Sequence, residues 1–213
     1  MYASVADARS ESVTVTEASD ARLLRLLDEA TALIDRVTGW FFEPRDATFR
    51  LDGRGSRSLE LPVPPIRVDR LVVSGAEVSV IAGDLVIVGA PIQPGFDGPR
   101  LTFPHGRRFP RGSDNVVVEG RWGFTEPDGT AEGRTPLAIR RACLLLTLRN
   151  LATLSSDAAA EARSRWRIIE ERTRDQSYRL NPIQITASTS LTGDPEIDAL
   201  LANYVRPMPI GAA

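Results

Sequence analysis

The sequence predicts an α+β protein, a helical bundle subunit carrying an inserted β-rich module, and three observations lead there. Residues 17–38 place Leu23, Leu27, Ala30, Ile34 and Val37 four and three positions apart, the stripe of an amphipathic helix. Residues 45–124 break into short apolar segments separated by Gly and Pro, the pattern of strands and turns. Residues 137–154 return to helix and are apolar almost all round, so this helix is expected at the centre of the fold.

Each element follows from local chemistry. Thr16 is a suitable cap for the first helix, Glu17 and Asp20 suit its positive end, and Gly39 is placed to end it. The aromatic run Trp40-Phe41-Phe42 follows, and Pro44 blocks further helix. Strands are expected over 48–51, 58–61, 66–74, 77–81, 85–88, 100–103 and 116–122, with Asp52-Gly53 and Gly83-Asp84 as hairpin turns. The three prolines of Leu61-Pro62-Val63-Pro64-Pro65-Ile66 require an extended path or a sheet edge.

Thr135 and Pro136 then form a cap and first helical position. A further helix is expected over 157–178, from the stripe Ala159, Ala162, Trp166 and Ile169 and the pairs Glu161 with Arg165 and Glu170 with Arg174. Residues 181–192 are polar and lack helical period. Gly193-Asp194-Pro195-Glu196 then opens a short helix carrying Ile197, Leu200, Leu201 and Tyr204, stopped by Pro207 and Pro209. The expected organisation is an N-terminal bundle helix in 1–44, the β-rich module in 45–124, the bundle core in 125–180 and an extended C-terminal arm in 181–213.

Composition excludes several functions. The chain has 213 residues, 42% hydrophobic and 25% charged, enough to bury a core without disulfides. A net charge of −2 argues against non-specific nucleic-acid binding as the main activity. All 26 basic residues are Arg, which fits codon bias in a GC-rich genome because they are scattered from Arg9 to Arg206. The single cysteine, Cys143, sits in an apolar run and reads as core. The acidic N-terminus lacks the apolar stretch of a signal peptide, and the longest apolar run, 142–148, is too short to span a membrane.

The search for chemistry finds no catalytic, cofactor or metal constellation. His105 is the lone histidine and has no nucleophile elbow or second ligand beside it in sequence. Gly53-x-Gly55 and Gly120-x-x-Gly123 lack the following helix of a phosphate cradle and read as turns. Trp40, Phe41, Phe42, Trp122 and Phe124 flank the β module and read as a hydrophobic joint between helices and β layer. The one local basic patch is Arg107, Arg108 and Arg111, interleaved with Phe109, a candidate contact to a partner surface or to DNA.

The order of segments carries more than any one residue. The helix ending Ile34-Asp35-Arg36-Val37-Thr38-Gly39-Trp40-Phe41-Phe42, the run Leu59-Glu60-Leu61-Pro62-Val63-Pro64-Pro65-Ile66 and Gly120-Arg121-Trp122-Gly123 together resemble the head-to-tail connector (adaptor) proteins of long-tailed phages and gene transfer agents. The helix opening Thr135-Pro136-Leu137-Ala138-Ile139-Arg140-Arg141-Ala142 and the tail Gly193-Asp194-Pro195-Glu196-Ile197-Asp198-Ala199-Leu200-Leu201 are similar to that group too. The resemblance implies a non-enzymatic, ring-forming connector, commonly of twelve copies, below the portal protein. It would contact stopper or tail proteins and let genomic DNA pass without sequence specificity. Its place would be the virion neck, and the host cytoplasm before assembly, with no membrane. The long β insertion departs from the smaller, more nearly all-helical connectors.

Two further expectations concern assembly. The subunit alone is expected to be monomeric or weakly associated, on the narrow stripe and charged flanks of 157–178. Asp194, Pro195, Ile197, Leu200, Leu201, Tyr204 and Arg206 are expected to dock on the portal, ordering only there, because so short a helix is unstable alone. The competing classes are a nucleic-acid-binding packaging or regulatory protein and an enzyme built from dispersed carboxylates.

Overall fold

The computed structural model describes residues 1–81, 83–90, 98–153, 170–173, 176–179 and 191–206. The chain forms two compact units, one of Met1–Val37 with Ala138–Ala202, the other of Thr38–Leu137 with Asn203–Ala213.

The first unit is built on α2 (Asp20–Thr38) and α3 (Leu137–Thr153). Helix α2 buries Leu23, Leu27, Ala30 and Ile34 as the period requires, and Leu26 widens the stripe. Helix α3 buries Ile139, Ala142, Cys143, Leu144, Leu146 and Leu151. The two helices approach closely where the Cys143 thiol lies 3.9 Å from the Leu27 carbonyl and 3.8 Å from the Thr31 hydroxyl. Burial pushes that thiol's pKa up, which keeps it protonated and inert. Buried Thr147 is satisfied within its own helix, its hydroxyl donating to the Cys143 carbonyl at 2.9 Å.

Two details of this unit differ from the sequence reading. Helix α2 starts three residues later than expected, at Asp20, and the Ser19 hydroxyl before it accepts from Arg22 N–H at 3.3 Å, while Thr14 and Glu17 close a separate turn. A first helix, α1 (Val5–Ser10), was not expected. Its six residues are too few to show a period, and it is held instead by a capping box between Ser4 and Asp7. The Ser4 backbone N–H, then its hydroxyl and Arg140, hold the Asp7 carboxyl below the usual range.

The helix expected over 157–178 is overturned where it can be seen. Residues 157–169 lie outside the described residues, but β8 (Glu170–Thr173) and β9 (Gln176–Arg179) pair antiparallel, Glu170 opposite Arg179. The physical reason is legible afterwards: after Ile169 the segment through Arg179 has one apolar residue, Tyr178, so no helical face exists to bury. The ion-pair spacing that suggested helix is worth only a few tenths of a kcal/mol. Among the described residues, the helical block expected to reach 180 therefore ends with α3.

The second unit holds two antiparallel sheets. The larger has the order β1-β7-β3-β4, with β1 (Arg45–Gly53), β3 (Pro65–Val73), β4 (Ala76–Val78) and β7 (Gly112–Trp122). The smaller has the order β2-β6-β5, with β2 (Ser58–Glu60), β5 (Val86–Val88) and β6 (Arg100–Thr102). Strand β7 is paired on both sides, and its alternate residues Val116, Val118, Gly120 and Trp122 face inward. Pro65 opens β3, the one strand position where a missing N–H costs least.

The turns are not where the sequence suggested. Asp52-Gly53 continues β1, with Gly53 opposite Gly112, and Gly83-Asp84 lies between strands of different sheets. The tight hairpin is Ser74-Gly75, both at positive φ (51° and 82°), joining β3 to β4 across the Val73–Ala76 pair. This is the two-residue geometry that matches strand twist, with Ser in place of the more usual Asn or Asp.

Gly120 is required for contact rather than turning. A Cβ there would stand 2.2 Å from the Arg67 carbonyl oxygen, beside the irregularities in β3. Gly120→Ala is expected to cost about 3 kcal/mol, since backbone rather than a flexible side chain must move. Urea denaturation checks this, and a change within half a kcal/mol would show the strand pair to be looser than described.

Candidate docking surfaces

The C-terminal helix α4 (Pro195–Leu201) is held by its own unit. Asp194 caps it, one carboxylate oxygen accepting from Glu196 N–H at 3.0 Å and Ile197 N–H at 3.3 Å. The other oxygen is ion-paired with Arg149 of α3, and the same guanidinium reaches Glu196 at 2.8 Å. Asp198 turns back to accept from Leu191 and Thr192 N–H at 3.1 and 2.8 Å. Ile197 and Leu201 are fully buried.

These contacts correct the expectation that the helix orders only on a partner. Seven residues are too few for a stable isolated helix, but the surface they need is on the same unit. Of the expected docking residues, Asp194, Ile197 and Leu201 are committed inward, Pro195 and Leu200 are half-buried, and neighbouring Glu196 and Ala199 are exposed.

Tyr204 and Arg206 belong to the second unit. The Tyr204 ring stands edge-on to Phe42 and Phe124, with centroids 5.7 and 5.4 Å apart. Burial raises its phenol pKa. Arg206 donates its backbone N–H to the Thr38 carbonyl at 2.8 Å and lays its guanidinium 5.5 Å from the Trp40 ring centre. Of the aromatics flanking the β module, Trp40, Phe42 and Phe124 thus cluster with Tyr204, while Trp122 packs edge-on against Phe49 at 4.7 Å. The Thr135 hydroxyl, expected to cap α3, donates to the Phe42 carbonyl at 3.0 Å.

The Arg107, Arg108 and Arg111 loop is exposed around a rigid base. Phe103 and Phe109 stack at 4.5 Å and are buried, so neither presents a face to solvent. Arg107 lies over Phe103 at 5.3 Å, and Arg108 donates to the Gly55 carbonyl at 3.2 Å. His105 is exposed on the same loop. Among the described residues no group of His, Cys, Asp and Glu is placed to hold a metal ion, and no helix is long and apolar enough to cross a membrane.

The described residues define an α+β chain whose helical unit is divided in sequence by an antiparallel β module. No protein-family model and no curated protein matches it. Solved structures do. A chain in the neck of a native gene transfer agent (GTA) particle, computed with C12 symmetry, aligns over 97% of this chain and 90% of its own, with a TM-score of 0.53 and 20% identity. A chain in the neck of the empty GTA particle, computed with C6 symmetry, aligns over 91% and 82%, with a TM-score of 0.50 and 21% identity. A chain in the virion of the native GTA particle aligns over 91% and 81%, with a TM-score of 0.50 and 21% identity. The protein therefore has the fold of a chain found in GTA necks, in agreement with the resemblance to head-to-tail connectors.

The Asp194–Arg149 pair generates a test. Both side chains are largely removed from water, so removing one strands the other. Asp194→Ala should cost about 3 kcal/mol, with Glu196 left as a second partner for Arg149. Asp194→Asn should recover about 1 kcal/mol of that, because Asn still caps the helix. Chemical denaturation of the three proteins measures both steps, and equal stability of all three would show α4 to be unclamped.

Proposed function

We propose that this chain is a non-enzymatic structural subunit of the neck of a phage-like particle, one of a ring of copies joining the portal protein to the stopper or tail and lining part of the DNA passage. The observation that carries the reading is the likeness to GTA neck chains over nearly the whole length of both proteins, with the β module included. The C12 symmetry of that neck supports a ring of twelve, in which each subunit would meet its neighbour through two different surfaces. The net charge of −2 suits a passage through which DNA slides without being held.

Portal docking is assigned to the outer side of α4 and the segment after it. Ile197 and Leu201 would set the helix from within, Asp194 would fix its start, and Pro195 and Leu200 would border the contact, while Tyr204 and Arg206 of the second unit would meet the portal on their own. Ala199 is exposed on α4. Ala199→Arg is expected to leave the melting temperature within about 2 °C of wild type, as surface substitutions do. It should abolish co-purification with portal and leave DNA-filled heads without tails. Normal tail joining by a folded Ala199→Arg protein would remove this face from the interface.

The free subunit is expected to be monomeric or weakly associated. The helix expected over 157–178 is not found over 170–179, but a second support exists: among the described residues the helical unit exposes Met1, Val15 and Leu24 as its large apolar side chains. Such a surface favours reversible contacts over an obligate hydrophobic interface. Light scattering should give one subunit in solution and ring stoichiometry only with portal added. A small oligomer that persists on dilution would contradict this.

A further inference from the structure

Many arginines of the described residues are paired with carboxylates. Arg121 bridges Asp46 and Glu132, Arg70 bridges Glu77 and Glu119, and Arg134, Arg140 and Arg149 each have acidic partners. One cluster is not. The loop 54–57 and the loop 103–111 are joined by backbone bonds, Gly55 N–H to the Phe109 carbonyl and Phe109 N–H to the Ser56 carbonyl at 2.8 Å, and Phe103 N–H to the Arg57 carbonyl at 3.0 Å. Arg54, Arg57, Arg107, Arg108 and Arg111 are all exposed on this paired structure. No ion pair forms to any of them among the described residues.

We propose that these five arginines form a binding surface for the phosphate backbone of double-stranded nucleic acid. Arg54 and Arg57 come from a segment far away in sequence and are brought beside the Arg107 loop by the pairing of β2 with β6. The surface is built rather than loose. The buried Phe103–Phe109 stack supports it, Arg108 is tied to Gly55, and Gly55 sits at φ +76° with the Arg111 chain packed where a Cβ would be. The flanking segments carry three carboxylates, Asp52, Glu60 and Asp114, against five arginines, and Asp52 already accepts from Asp114 N–H at 2.7 Å.

The chemistry favours a nucleic acid over an acidic protein. A protein interface is anchored by desolvated aromatic or apolar side chains, and these loops expose none, their two phenylalanines being buried. Interfaces with nucleic acid are more polar and strongly positive, and guanidinium forks match phosphate oxygens. With no exposed aromatic to stack on bases, the contacts carry no sequence information. Five phosphate contacts give weak binding, with a dissociation constant on the order of 10⁻⁴–10⁻⁶ M at physiological salt. That is weak enough for a duplex to move across the surface.

The site goes beyond the neck reading and is tested apart from it, on the free full-length chain. Fluorescence anisotropy with a labelled mixed-sequence DNA duplex, from about 50 to 200 mM salt, should give a slope of log K against log salt of about −4.5. Changing all five residues to Gln should abolish binding while leaving the protein folded by circular dichroism, with a small fall in melting temperature from the lost Arg108–Gly55 bond. The double variant Arg54→Gln, Arg57→Gln, which keeps the Arg108–Gly55 bond, should reduce the slope by about two. Arg25→Gln with Arg36→Gln, exposed on α2, should change nothing. The proposal is overturned if wild type fails to bind duplex at the lowest salt, or if the five-residue variant binds equally well. Binding of polyglutamate in preference to duplex would also overturn it, in favour of an acidic protein partner. Tail joining by a duplex-blind variant bears on the neck reading alone.

Discussion

The second unit depends on β7 having two partners at once. Its outer neighbours β1 and β3 both reach its C-terminal end, where Arg45 and Pro65 stand opposite Trp122. A strand paired on both sides must place every inward residue in the core, and Val116, Val118 and Trp122 are accordingly shielded. Gly120 is the exception that shows how tight the fit is, because β3 comes so close that no side chain fits. The module's entry and exit are thereby brought side by side, which allows it to interrupt a helical unit in sequence without separating that unit's two halves.

The charge distribution follows from the same sheet. Arg121 and Asp46 face each other across β7 and β1, and Arg70 meets Glu119 across β3 and β7, so the solvent side of the sheet neutralises itself. Such exposed pairs add little stability. Their larger effect is to weaken the field of that face, while the paired loops carrying Arg54 and Arg111 gather five exposed arginines with no ion pair among the described residues. A chain with net charge −2 can therefore still present one basic surface.

At the other end of the chain, the short helix α4 shows how composition misleads about order. Ile197, Leu200 and Leu201 on a seven-residue helix need a surface, and a sequence cannot say whose. The answer lies in Arg149, which is remote in sequence and engages both the capping Asp194 and Glu196. The buried pair also makes the position of α4 specific, since a shifted helix would leave a charge stranded away from water.

The sequence by itself determined the alternation of helix, β module and helix, because hydrophobic period is a local property and changes visibly at Pro44 and at Pro136. It also determined most strand positions and the Gly39 stop, at φ +73°, for the same reason. It could not show α1, which is too short for a period, or the true hairpin at Ser74-Gly75. It misled over 170–179, where charge spacing stood in for a missing apolar face. Of the candidate sites, Arg107, Arg108 and Arg111 were legible as a local cluster and the C-terminal segment as a capped helix. Only tertiary structure could add Arg54 and Arg57 to the first, and turn Ile197 and Leu201 of the second inward. Strand pairing and the Arg149 clamp join residues distant along the chain, and no local pattern encodes which distant partners meet.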